Sequence, residues 1–246
     1  MERSIEDYYF KFMAPEPYKG TAISRLYRAK ITQIQMMRDR QYEVPAEELE
    51  VLELGIVDFI ARYQQKSRDR NQSFRAALNQ LYVGLDGEVN QGKQTYVYYP
   101  DTPEDKKQLS LDKDFVEGLS NMQGLTGLLV ISDLPLSAAA RKVIAGLKSY
   151  HIQDFLYTDL DHNVTQHFLV PEHDLMTAGE KKGFLSRNKL KLTQNPVISV
   201  ADPIARYYGA REGQMFKIHR QNLAYESLVP DSLSYRVVLD RPLTKD

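Results

Sequence analysis

The chain has no cysteine and no tryptophan in 246 residues. Without cysteine there is no disulfide framework, no Cys-based zinc finger and no iron–sulfur site, and the composition fits a reducing compartment. Long apolar runs are missing too. None approaches the roughly 20 residues that a membrane span requires, and the charged start, MERSIEDYYFKF, lacks the form of a secretory signal. There is no excess of one charge: a formal net charge of −1 argues against a protein whose main task is neutralising a nucleic-acid backbone. What is present is ordinary for a folded chain, with 42% hydrophobic and 26% charged residues. A chain of this length fits one large or two small domains and buries enough surface to need no covalent staple.

The near-zero charge hides an asymmetry. From Leu175 to Arg220 nine Lys and Arg stand against three acids, a net of +6. The tail Gln221–Asp246 carries −1, so Met1–Asp174 carries −6. This suggests two units with different neighbours; a solvated basic face would give the same count.

The first two-thirds reads as an α/β unit. Residues 1–22, broken by Pro15 and Pro17, read as a flexible extension. Ile23, Leu26, Tyr27, Ile31 and Ile34 share one helical face. Thr21 is the expected N-cap, and Arg38 and Arg40 suit the negative C-terminal end. Pro45 is expected to open a second helix whose apolar face runs from Leu49 through Ile56 to Tyr63, ended by a polar breaker at Gln64–Asn71. Strands are expected at Leu81–Leu85, Thr95–Tyr99, Leu125–Ser132 and Phe155–Thr158, with a turn at Asp86-Gly87. Ser137 caps a helix of good formers, AAARKVIAGLKSY, between the last two strands. Strand–helix–strand at this spacing implies at least one parallel pair.

The last third is more densely signalled. Thr177-Ala-Gly-Glu180 is a capping box for a helix ending near Asn188. Val197–Val200 reads as a short strand. Asp202-Pro203 has the form of an N-cap followed by proline at the first helical position, and Gly209 sits where a left-handed C-terminal cap belongs. Gly213 follows in a turn. Gln214–Arg220 alternates as a strand, with Phe216 and Ile218 opposite Met215, Lys217 and His219. Gln221–Asp231 reads as a loop, and Leu233–Leu239 as a strand with Tyr235, Val237 and Leu239 on one face.

Catalytic chemistry finds little support. His162, His167 and His173 are five and six apart, not the i, i+4 of a helical metal pair, so no metal site is assigned. A metal-dependent nuclease needs an acid on one strand and E-x-K on the next. Glu104-Asp105-Lys106 falls in an expected loop and Glu180-Lys181-Lys182 in the capping box, while Glu88 and Lys93 are five apart. There is no G-x-S-x-G nucleophile elbow, and no glycine-rich phosphate loop of the G-x-x-x-x-G-K type is expected. A free-standing nucleic-acid-binding module is the remaining alternative, and the acidic first part opposes it.

Several stretches together carry a family resemblance. They are Asp202-Pro203-Ile-Ala-Arg206-Tyr207-Tyr208-Gly209, Gly213-Gln-Met-Phe-Lys217-Ile218 with Arg220, Ser234-Tyr-Arg236, and His167-Phe-Leu-Val-Pro171-Glu-His173. With Ile23–Ala29 and Asp39–Tyr42, they resemble the fifth subunit of eukaryotic nuclear RNA polymerases, which is similar to a shorter archaeal polymerase subunit. The resemblance implies an N-terminal α/β jaw domain (23–163) and a small C-terminal α+β assembly domain (164–239), followed by a tail (240–246). It implies a non-catalytic nuclear subunit, without cofactor, membrane or small-molecule substrate. Such a subunit assembles on the largest polymerase subunit and places its jaw near downstream DNA. Among the matching residues, Asp202, Pro203, Gly209 and Gly213 read as structural. Arg206, Tyr207, Tyr208, Lys217, Arg220 and Arg236 are the interface candidates, with one of the two tyrosines expected to be buried and the other available, since arginine suits bidentate contact with partner carboxylates and aromatics anchor interfaces. The family's T-P-S-A turn is matched by Pro135-Leu136-Ser137-Ala138, with the proline moved by one and the threonine absent. Ser137, Arg141 and Lys142 there form a candidate phosphate contact, or an ordinary capped surface helix.

Overall fold

The computed structural model describes residues 20–86, 89–102, 106–111, 115, 118–119, 121–147, 149–220 and 232–240. The extension before Gly20, the 221–231 loop, most of the tail, Gly87 of the expected turn, and Glu88 and Glu104 lie outside the described residues. The chain forms two units. The described part of the first is 20–38, 42–86 and 91–162; that of the second is 163–220 and 232–240 together with 39–41 and 89–90.

In the first unit, helix α1 (Ala22–Asp39) starts where Thr21 Oγ1 accepts from Ser24 N at 3.3 Å. From Ser24 to Met37 it is buried at all but two positions, Arg25 and Arg28 aside, so polar Lys30 and Gln33 lie inside with Ile31 and Ile34. The expected second helix is two: α2 (Ala46–Val51), for which Pro45 is the N-cap, and α3 (Ile56–Asp69). Gly55, a poor helix former, caps α3, and the freed Leu54 carbonyl accepts from the Tyr27 hydroxyl at 2.8 Å. The expected breaker at Gln64–Asn71 is helical to Asp69, because its Gln, Lys and Arg residues are good helix formers despite their polarity.

The sheet of this unit has the order β1 (Gln80–Val83), β2 (Gln94–Tyr98), β3 (Leu125–Ser132), β4 (His151–Leu156). The first pair is antiparallel; β2–β3 and β3–β4 are parallel, the latter joined through helix α4 (Ala138–Gly146). β4 begins four residues before the expected Phe155, because its polar start, His-Ile-Gln-Asp, pairs residue by residue with Gly127–Val130. One face of the sheet turns Tyr82 and Thr95 toward α1. There Gly127 is closely approached: a Cβ would come within 2.6 Å of Thr95 Oγ1, itself 2.9 Å from the Tyr42 hydroxyl. The other face packs Leu128 and Val130 against Leu109, Leu136 and Ala140.

The second unit is built on a sheet of order β5 (Glu172–Leu175), β7 (Met215–Arg220), β8 (Ser232–Leu239), β6 (Val197–Ser199). Helix α5 (Ala178–Asn188) has the expected reciprocal capping box, and α6 (Pro203–Tyr207) starts with Asp202 Oδ1 accepting from Ile204 N at 2.8 Å. Gly209 and Gly213 take φ of 62° and 81°, the left-handed region where glycine is favoured. One face carries the core Ile198, Ala205, Phe216, Ile218 and Val238. On the other, Phe184 of α5 stacks on Tyr235 at 4.0 Å. The expected single apolar face on β8 is therefore corrected: Val237 and Val238 are both buried, because both faces are covered there.

Candidate partner interface

The second unit gathers most of the candidate residues, but it does not bring them to one surface. Strand alternation sends Arg220 and Arg236 to the side of Phe216 and Ile218, and Lys217 to the side of His219 and Tyr235. Arg220 is exposed, its Nε 3.2 Å from Ser234 Oγ. Arg236, opposite Phe216, and Lys217, opposite Asp174, are half-buried. On α6, Arg206 and Tyr208 are half-buried, with the Tyr208 ring edge-on to Phe216.

Of the two tyrosines expected to be split between core and surface, Tyr207 is the buried one. It is 2% exposed. Its hydroxyl donates to Asp39 Oδ2 at 2.7 Å and accepts from Asn163 Nδ2 at 2.9 Å, and burial pushes its pKa well up. Tyr207 therefore holds the unit together from within. Arg40 does the same, and reasoning from the sequence misassigns it. Instead of answering the dipole of its own helix, its Nε donates to Tyr207 O at 2.6 Å and its Nη2 to Arg206 O at 2.8 Å. These are carbonyls of the last turn of α6, and Arg206 O also accepts from Gly209 N at 3.0 Å. No local signal pairs Arg40 with a helix more than 160 residues away.

A cavity of about 660 Å³ lies at the edge of β5, lined by Asp39, Arg40, His173, Asp174, Tyr208 and Lys217 among others. Three of its four carboxylates have partners. Asp39 accepts from Tyr207, Asp174 Oδ2 lies 2.8 Å from His219 Nε2, and Glu180 accepts from Thr177 N at 2.8 Å. His173 is buried, with Nδ1 2.6 Å from Pro171 O, and burial pushes its pKa below the ordinary imidazole value. Among the described residues no three His, Asp or Glu are grouped to hold a metal ion. The arrangement braces a fold.

In the first unit Ser137 Oγ accepts from Ala140 N at 3.1 Å, capping α4, while Arg141 and Lys142 are exposed one turn on. The expectation that the chain has no G-x-x-x-x-G-K spacing is corrected: residues 87–93 read Gly-Glu-Val-Asn-Gln-Gly-Lys, the spacing of phosphate loops. Gln94 stands where that motif has Ser or Thr, and the stretch joins antiparallel β1 to β2 instead of leading into a helix.

The comparisons fall on both units. Residues 20–109 match the family model "RNA polymerase Rpb5, N-terminal domain", and 162–238 match "RNA polymerase Rpb5, C-terminal domain". Neither model reaches 110–161, which holds β3, α4 and β4. Over 80% of its length the chain is 32% identical to "DNA-directed RNA polymerases I, II, and III subunit RPABC1" of Caenorhabditis briggsae, covering 89% of that protein. It is 31% identical to the protein of that name from Dictyostelium discoideum, over 80% of this chain and 91% of the relative. It is 29% identical to "DNA-directed RNA polymerase V subunit 5A" of Arabidopsis thaliana, over 83% and 86%.

Proposed function

Because the chain belongs to the Rpb5 family of RNA polymerase subunits, we propose that it is a non-catalytic subunit of nuclear DNA-dependent RNA polymerase. In this reading residues 23–163 form the jaw near downstream DNA, and 164–239 form the assembly domain that docks on the largest subunit. Residues 1–22 and 240–246 are extensions of the family's plan. The observation that carries the reading is the ordered match of both family models over most of the chain. Arg220 and Arg236, which share one side of the sheet, are the arginines offered to partner carboxylates. Ser137, Arg141 and Lys142, at the start of α4, are the residues offered for a phosphate contact.

The test is affinity purification of the tagged full chain at mild salt, with a mass-spectrometric inventory of what accompanies it. Polymerase subunits, the largest among them, are the expected result. Recovery of none overturns the reading. The relative named for polymerase V favours a second possibility, a copy restricted to one polymerase class. Class-specific subunits in the same inventory decide between a shared and a restricted copy.

A further inference from the structure

The most exposed large hydrophobic side chains among the described residues are neighbours: Phe168 at 70% and Leu169 at 66%. They sit at the tip of a braced turn. Upstream, buried Asn163 holds the chain, its Oδ1 accepting from Thr165 N at 3.0 Å and Thr165 Oγ1 at 2.7 Å. Downstream, buried His173 is tied to the Pro171 carbonyl. Between them Val170 N donates to His167 O at 2.8 Å and Leu169 N to His167 Nδ1 at 3.3 Å. The His167 ring lies on Phe168 with centroids 4.9 Å apart. A side chain held this way loses little further freedom on docking, and an aromatic on a fixed backbone is the common form of an interface anchor.

The chemistry of the turn selects its occupant. Residues 163–172 contain no Lys or Arg and end in Glu172, so a phosphate backbone finds no counter-charge here. Self-association is also poorly served. The two side chains expose on the order of 250 Å², against about 800 Å² per partner in a stable interface. A small, rigid apolar projection of this kind suits an anchor within a larger protein interface, which a subunit of an assembly must have.

Resting on the polymerase reading above, we propose that Phe168 and Leu169 form an apolar plug that inserts into an apolar pocket on another protein subunit of the polymerase. The plug adds a hydrophobic anchor to the arginine contacts of the same unit.

The test uses the tagged full chain carrying Phe168→Ser with Leu169→Ser. Wild type recovers polymerase subunits; the double variant recovers them at least tenfold less, the scale of losing one strong anchor. Its melting midpoint stays at the wild-type value, since both side chains already face water. Independently of that variant's folding, a photo-crosslinking residue in place of Phe168 should join the chain to a polymerase subunit. Recovery at the wild-type level by a folded double variant overturns the proposal. So does crosslinking only to a second copy, or a concentration-dependent dimer of the purified chain that the double variant abolishes. If wild type itself recovers no polymerase subunit, the polymerase reading fails, and the plug's stated partner with it.

Discussion

The deepest structural commitment in the first unit is a buried ion pair, and it makes a sharp prediction. Lys30 is fully buried. Its Nζ lies 2.5 Å from Glu48 Oε1, 2.9 Å from Gln33 Oε1 and 3.1 Å from Leu78 O. Three acceptors match three ammonium protons. Glu48 Oε2 accepts from the Tyr82 hydroxyl, which in turn accepts from Gln33 Nε2 at 2.8 Å. The ring of Tyr99 lies 5.6 Å from Nζ, and its hydroxyl donates to Gln33 Oε1. Burial pulls the Lys30 pKa down while the Glu48 charge holds it up, so the pair stands on Coulomb attraction offsetting desolvation. Lys30→Met removes one partner and leaves a carboxylate in the core. The expected loss is about 3–5 kcal/mol, the range for breaking a buried pair from one side. In a unit of this size that lowers the melting midpoint by roughly 10–20 °C. Glu48→Leu alone should cost a similar amount. Replacing both together should restore much of the loss, because a buried pair exchanged for apolar groups of similar volume is often neutral. The assay is thermal and urea unfolding of the four proteins, followed by the near-ultraviolet signal of the tyrosine-rich core. A single variant losing less than about 1 kcal/mol refutes the reasoning. So does a double variant whose loss is the sum of the two singles.

Three further outcomes follow from the same geometry. Asp202→Ala should cost about 1 kcal/mol through loss of the α6 cap; an unchanged unfolding midpoint in the second unit would remove the cap from the account. Gly127→Ala should cost about 1–3 kcal/mol by overpacking against Thr95, with partial recovery in Gly127→Ala/Thr95→Ala, and equal stability of glycine and alanine would contradict the close approach. The pH dependence should be two-sided. Burial, with Arg236 and Arg220 adding to it, lowers the His173 pKa while the Pro171 carbonyl and Asp202 oppose. A lowered imidazole pKa gives stability that is present above the ordinary value of about 6.5 and lost as pH falls through the folded value. Burial raises the hydroxyl pKa of Tyr27 to about 12. That stability is complete below about pH 10 and lost as pH rises through the folded value. Urea midpoints from pH 5 to 12 read both limbs, and His173→Gln should flatten the acid one alone.

Features with a local cause were legible in the sequence. The caps at Ser137, Thr177 and Asp202 lie within three residues of the N–H groups they satisfy. Gly209 needed only its own conformation, and Leu125–Ser132 is an apolar run that no exposed element would carry. The ordered motifs of the last third also pointed to the polymerase-subunit family. The break at Gly55 lay outside this reach, because Tyr27 secures it from 27 residues away. The polar start of β4 became a strand only by pairing with β3.

By itself, then, the sequence determined the caps, the buried strand and the family. Each depends on neighbours in the chain or on motif order. Only the tertiary structure decided which polar residues go inside. Lys30 and Glu48 are separated by 17 residues of chain, and Arg40 and Tyr207 by 166. Nothing in their local sequence distinguishes them from solvent-facing side chains. They are buried because folding brings each a partner that makes burial tolerable. The same rule separates Tyr207, drawn inward by Asp39 and Asn163, from Phe168, left at the surface on a turn that holds it there.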